Sequence, residues 1–348
     1  MSKLPISKFF YCSFLGCFAF LFLACQPDDV GPQYPDSETK RIGAPGFWLI
    51  NEGHFNWGDA SISFYDTETK QMSNRVFQNQ NEKALGDVAQ SMYQFDDEWF
   101  VVLNNSHTIL KCSEEMDELA SYSGFNSPRY MLALSDTQIL VSSLYGNQIY
   151  SLNPIKNELT TFSETADWTE KMLLLDDFIF AEQKSFANTN PEDNKILKIN
   201  RNGQIISTLM LPNAFGSLSP FDADHVLVLV EVSDEASELW LINTDFEIKE
   251  KIAFPIDAKF LTVSNSKVYV AQEQVWVWDS HTGEKEKLMD FPGETLYGFS
   301  SSADGLLYFS DAKDYQAQGE LKIYNLDEKR WIDTKATGYI PSEIYFQP

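Results

Sequence analysis

The sequence predicts an all-β chain folded as a seven-bladed β-propeller with four-stranded antiparallel blades, and three observations carry that prediction. A short strand recurs seven times, ending in Asp or Asn six times and in Ser113 once; its closing residues are 66, 113, 153, 200, 243, 279 and 325, and spacings of 36 to 47 residues are those of a four-stranded blade. Each such strand follows an earlier apolar strand and precedes a turn and a further strand, so the unit is a meander. Finally, Pro341–Phe346 reads as an innermost strand with no blade behind it, while the first unit has no innermost strand before Phe47. The tail is therefore expected to complete the blade that the front of the chain opens, which leaves no long unpaired sheet edge.

Residues 1–24 place Lys3 and Lys8 ahead of an apolar run, 9–24, that is short for a membrane span and ends in a small residue, the form of a secretory leader. Leu21-Phe22-Leu23-Ala24-Cys25 resembles a bacterial lipobox with Phe22 where Leu is usual. That resemblance implies cleavage before Cys25, lipidation of Cys25, and anchoring by several acyl chains acting together. Residues 25–45 are rich in Pro, Gly and Asp without apolar periodicity, which predicts a flexible tether. Their start, Gln26-Pro27-Asp28-Asp29, resembles the acidic signal that sends some lipoproteins to the outer face of the outer membrane.

The propeller is expected over residues 46–348. Residues 46–66 set the pattern: an apolar run at 47–50, a polar loop punctuated by Gly53 and Gly58, then an alternating strand at 61–65 closed by Asp66. The apolar strands at 99–103, 139–143, 178–181, 226–230, 267–271 and 306–310 each precede a later copy of the closing strand. Outer strands are expected beyond the turns, for example at 72–77 after residues 67–70 and at 285–291 after residues 281–284.

Composition fits one large β-domain: 348 residues with 14% aromatic content. The net charge is −25, or −25 − 2 = −27 without Lys3 and Lys8, which argues against nucleic acid and against electrostatic docking on anionic lipid. Of the four cysteines, Cys12 and Cys17 fall in the leader and Cys25 at the acylation point, so Cys112 stands alone, no disulfide framework is possible, and it reads as an inert sheet residue. Enzyme signatures such as Gly-x-Ser-x-Gly and His-Glu-x-x-His do not occur, and the single Trp278-Asp279 pair lacks the repetition of a WD40 array.

In a propeller the loops between second and third strands and the connections between blades emerge on one face around the central channel. Here that face would carry loops 51–59, 104–107, 144–147, 182–194, 231–237, 272–274 and 311–319, with connections at 86–87, 128–129, 170–171, 216–217, 257–259 and 297–298. These segments are rich in Asn, Gln, Glu and aromatic rings.

Asn51-Glu52-Gly53-His54-Phe55, Leu85-Gly86-Asp87-Val88-Ala89-Gln90-Ser91-Met92, Val101-Val102-Leu103-Asn104-Asn105-Ser106 and Ser127-Pro128-Arg129-Tyr130 together resemble the surface-layer-type, YncE-like propellers with a DUF5074-type domain. The likeness spans the globular part and is concentrated in residues 46–132. It implies a surface-exposed outer-membrane lipoprotein without chemistry of its own, capturing cobalamin or another corrinoid for a TonB-dependent outer-membrane transporter. A corrin with peripheral amides suits the face. Trp57, Tyr145, Phe186, Tyr297 and Tyr315 offer apolar rings, and Asn51, Asn104, Asn105, Asn147, Gln183 and Gln272 offer amide partners. Glu52, His54 and Arg129 complete the candidate ligand-binding set. With no second ligand at metal spacing, His54 reads as a loop histidine and Glu52 as a turn residue bonding nearby backbone, so no metal, cofactor or catalytic residue is expected. Two other classes remain open: a scaffold gripping a protein or glycan, and a lactonase or lyase in which Glu52, Asp87, Asn104 and Glu231 hold a divalent metal.

Overall fold

The computed structural model describes residues 43–184, 194–212 and 215–347; the expected leader, Cys25, nearly all of the tether and most of loop 182–194, Phe186 included, lie outside them. Seven four-stranded antiparallel sheets make up the fold. The first joins β1 (Gly46–Asn51), β2 (Ser61–Asp66) and β3 (Gln71–Ser73) to the last strand of the chain, β28 (Pro341–Phe346), in the order β28-β1-β2-β3. The second and third blades are β4 (Ala89–Phe95), β5 (Glu98–Leu103), β6 (Thr108–Cys112) and β7 (Glu118–Ser123), then β8 (Pro128–Ser135), β9 (Gln138–Ser143), β10 (Gln148–Asn153) and β11 (Glu158–Glu164). The fourth and fifth are β12 (Thr169–Leu175), β13 (Phe178–Gln183), β14 (Lys195–Asn200) and β15 (Ile205–Met210), then β16 (Phe215–Pro220), β17 (His225–Ser233), β18 (Ala236–Asn243) and β19 (Ile248–Phe254). The last two are β20 (Phe260–Ser264), β21 (Lys267–Ala271), β22 (Gln274–Asp279) and β23 (Lys285–Asp290), then β24 (Leu296–Ser301), β25 (Leu306–Asp311), β26 (Gln318–Asn325) and β27 (Arg330–Tyr339). The tail closes the ring as the sequence predicts: Phe47 pairs with Phe346, Trp48 with Tyr345 and Leu49 with Ile344.

The recurring Asp or Asn has a physical cause. The Asp66 carboxylate accepts the N–H groups of Glu68 and Thr69, both at 3.0 Å. Asn153 accepts those of Ile155 and Lys156 at 3.1 and 3.0 Å, and Asp279 those of His281 and Thr282 at 2.9 and 3.2 Å. Each is an Asx turn that reverses the chain into the outer strand. Second strands are buried along nearly their whole length because neighbouring blades cover both faces of each sheet, as at Trp48, whose ring lies 4.7 Å from Phe64 within its blade and 6.4 Å from Trp99 in the next.

One expected strand is shorter than its pattern. The run at 72–77 leaves the sheet at Ser73, and Val76–Asn81 forms a short helix, α1. Asn74 is bound to Ser63 and to the Ala336 carbonyl, Arg75 turns into the left-handed region at φ 55°, and Val76 and Phe77 then drop into the core beside Trp48 and Trp99. Tertiary burial overrides the local strand reading there.

The innermost strands, which touch in succession around the channel, depart from regular pairing where they begin. The register slips by one residue after Ala89, Pro128, Thr169, Phe215, Leu296 and Pro341, in six of the seven innermost strands. A bulge of this kind re-aims the extra side chain away from the sheet. The slipped positions include Gln90, Arg129, Tyr130, Glu170, Lys171, Tyr297, Ser342 and Glu343.

Candidate functional site

These bulge residues line a cavity of about 590 Å³ at the mouth of the channel, together with Glu52, Glu182, Lys184 and Lys259. Arg129 is clamped on three sides: its Nε and Nη2 lie 2.8 and 2.6 Å from Glu170 Oε1, and its Nη1 donates to Gln90 Oε1. Glu170 is 2% exposed. Burial opposes charge on Arg129, but the Glu170 carboxylate outweighs it and raises the guanidinium above its ordinary range. Arg129 also lies over the ring of Trp168, 5.4 Å from its centroid.

A second cluster faces the first. Glu343 takes Lys171 Nζ at 2.7 Å and the hydroxyls of Tyr130 and Tyr345 at 3.1 and 2.5 Å. Burial would push Glu343 up, yet Lys171 and the two hydroxyls hold it below the usual carboxylate range. Lys171 is raised in turn, since the Glu343 carboxylate outweighs burial. Glu52 stands apart from both clusters. Its Oε2 accepts the Tyr297 hydroxyl at 3.1 Å, and burial pushes its carboxyl up to about 7 despite the opposing field of Arg129.

Of the predicted residues, the cavity brings together Glu52, Arg129 and Tyr297. Four others point their amides or rings into the protein. Asn51 is fully buried, donating to Ser63 Oγ at 2.9 Å and accepting the Gly338 N–H at 3.0 Å. Asn104 donates to the Pro128 carbonyl at 3.0 Å. Asn105 donates to Asp87 at 2.6 Å, on the expected loop face, where Asp87 also accepts the Asn56 N–H at 3.1 Å. Gln183 is 1% exposed, and its Nε2 has no hydrogen-bond partner.

His54 Nδ1 is hydrogen-bonded to Asp59 Oδ2 at 2.7 Å, its ring lies tilted 4.9 Å from Trp57 and 4.5 Å from Tyr339, and its Nε2 is buried with no partner among the described residues. Trp57, Tyr145 and Tyr315 stand out from the face at 70%, 52% and 41% exposure. Asn147 is exposed in a left-handed turn at φ 48°, and Gln272 lines a separate hollow with Asp257. Among the described residues no group of three His, Cys, Asp or Glu is arranged to hold a metal ion, and no helix is long and apolar enough to cross a membrane.

The residues that sequence reading left out of the set are Gln90, Tyr130, Glu170, Lys171 and Glu343. Their trace in the sequence is a pair of neighbouring polar or charged residues where an innermost strand starts, Arg129-Tyr130, Glu170-Lys171 and Ser342-Glu343, which breaks the alternation a regular strand would keep.

A family model described as "Domain of unknown function (DUF5074)" matches residues 45–219. No curated protein matches the chain. Among solved structures, a quinonprotein alcohol dehydrogenase-like protein of Bacteroides thetaiotaomicron is similar over 87% of this chain and 78% of its own, with TM-score 0.66 and 13% identity. A candidate 6-phosphogluconolactonase of Bacteroides fragilis is similar over 89% and 100%, with TM-score 0.64 and 10% identity. The computationally designed Ika8 protein is similar over 90% and 94%, with TM-score 0.58 and 12% identity. At these identities the likeness shows the propeller fold and carries nothing about chemistry.

Proposed function

The chain belongs to the DUF5074 family, and from that premise we propose that it is a non-catalytic binding protein, held at the outer-membrane surface by lipid on Cys25, that takes a corrinoid across the channel mouth for a TonB-dependent transporter. The observation that supports this reading best is the ring of exposed aromatics, Trp57, Tyr145 and Tyr315, on the loops of the face that carries the polar cavity. A flat macrocycle edged with amides needs apolar area above and polar partners below. The cavity, at about 590 Å³, is of a size for a drug-like group, so a corrinoid would lie over the mouth and send one arm into it. The lactonase reading is less well supported. Asp87 and Asn104, two of its four metal holders, are hydrogen-bonded to Asn105 and to the Pro128 carbonyl.

The test is isothermal titration of residues 26–348 with cyanocobalamin and with cobinamide. Submicromolar binding is expected, weakened about tenfold by Trp57→Ala with thermal unfolding unchanged, in keeping with the loss of one stacked ring. No heat and no spectral change at high micromolar corrinoid would remove the corrinoid, and membrane fractionation of Cys25→Ala tests the anchor by its release.

A further inference from the structure

The charges in the channel mouth do not balance. Each cation there already has an acid: Arg129 has Glu170, Lys171 has Glu343, Lys184 lies 3.7 Å from Glu182, and Lys259 holds both Glu231 and Asp257 at 2.7 and 3.0 Å. Glu52 has no cation within ion-pair distance among the described residues, only the Tyr297 hydroxyl, and it remains open to the channel. Two further acceptors in the wall are unused. Among the described residues Glu182 Oε1 and Ser342 Oγ have no hydrogen-bond partner, in residues only 1% and 4% exposed. A buried carboxylate oxygen without a donor is costly, and the chamber is short of donors.

We propose that the channel mouth is a binding site for a small organic cation, a primary ammonium on an aromatic or apolar body, with the ammonium paired to Glu52. An ammonium brings three N–H donors and no acceptor, which is what this chamber lacks. The walls also carry Tyr297, Phe260 and Phe299, which suit an apolar body, beside Tyr130, whose ring lies under Lys171 at 5.4 Å. Arg129 and Lys171 do not repel it, because their charges are held by Glu170 and Glu343. The inference stands apart from the corrinoid reading, since it rests on the channel wall and not on the exposed rings above it.

Three matched probes decide it: tyramine, its neutral analogue tyrosol, and 4-hydroxyphenylacetate, each titrated calorimetrically into the full chain in mild detergent at pH 8. Tyramine is expected to bind at least about tenfold more tightly than tyrosol, and the acid not at all, the difference a charge-assisted hydrogen bond makes. Glu52→Gln is expected to lose that preference. Tyr297→Phe, which keeps the carboxylate, is expected to retain it in weaker form. The groups facing Glu52 are Arg129, Tyr297, Glu343 and Glu170, and its carboxyl titrates near 7, so tyramine affinity is expected to fall at least about tenfold between pH 8 and pH 5.5. Equal binding of tyrosol and tyramine, an unaltered tyramine affinity in Glu52→Gln, or no tyramine heat at millimolar concentration would each overturn the proposal.

Discussion

Glu52→Gln should make the protein more stable at pH 8 and leave it nearly unchanged at pH 4.5. The Glu52 carboxyl rises from its ordinary 4.5 to about 7 because burial at the channel mouth disfavours the charged form. The folded state therefore holds a proton through the window from 4.5 to 7 that the unfolded chain has already released. Stability falls as pH rises through that window, and the loss is complete above about 7. At 1.36 kcal/mol per pH unit the full penalty is roughly 3 kcal/mol, and at pH 5 it is under about 1 kcal/mol. Glutamine keeps an acceptor for the Tyr297 hydroxyl and never ionises, so it removes the penalty alone. Urea unfolding of both proteins, followed by tryptophan fluorescence at pH 4.5, 6 and 8, would show a gap that opens with pH towards about 3 kcal/mol. A gap of the same size at every pH, or a variant less stable at pH 8, would refute the reasoning.

The remaining predictions concern the clamp, the ring and the thiol. Arg129→Met and Glu170→Gln should each cost about 3–5 kcal/mol, because each strands a buried partner, while the double variant should cost at least about 2 kcal/mol less than the two losses together; a double-mutant cycle in urea checks this, and simple additivity would contradict it. Gly298→Ala should cost about 2–3 kcal/mol, since a Cβ there would stand 1.8 Å from the Ser342 carbonyl oxygen and force β24 away from β28, which a drop in melting temperature would report. Cys112, fully buried and with its thiol pushed up by burial to about 12, should react with a disulfide reagent at pH 8 only as fast as the chain unfolds.

Much of the fold was legible because its signals are local. Asp66, Asn153 and Asp279 recur as closing residues since the turn into the outer strand needs a side-chain acceptor for the next N–H groups, a requirement that each blade meets separately. The closure by Pro341–Phe346 was legible for the same reason, as a strand whose blade was missing. The helix Val76–Asn81 was not, because the apolar pair Val76-Phe77 fits either kind of element and its burial beside Trp48 and Trp99 decides for the helix. The site was legible by halves. Chain order places Glu52, Arg129, Glu170, Lys171 and Tyr297 on the channel face, but the slips that set Arg129, Glu170, Lys171, Tyr297 and Glu343 off the ladder are a property of two strands together. Asn51 and Asn104 read as ligand amides because a loop asparagine that binds a ligand and one that ties two strands look the same in sequence.

Those slips also explain why so little of the chemistry can be inferred from the fold. Innermost strands approach one another closely at two points: a Cβ on Gly216 would lie 2.5 Å from the Lys259 carbonyl oxygen, and one on Gly298 nearer still to the Ser342 carbonyl oxygen. The bulges turn charged side chains, Arg129, Glu170 and Glu343 among them, off the sheets and into the cavity wall. The charged bulge residues stand outside the apolar blade cores, whereas Leu261, Phe299 and Ile344 belong to a core and to the cavity wall at once. A shared propeller fold therefore fixes the blades and leaves the chemistry of the channel wall free to differ. For this chain the positions to vary first are the side chains that leave the ladder at the start of each innermost strand, with Glu52 beside them in the cavity wall.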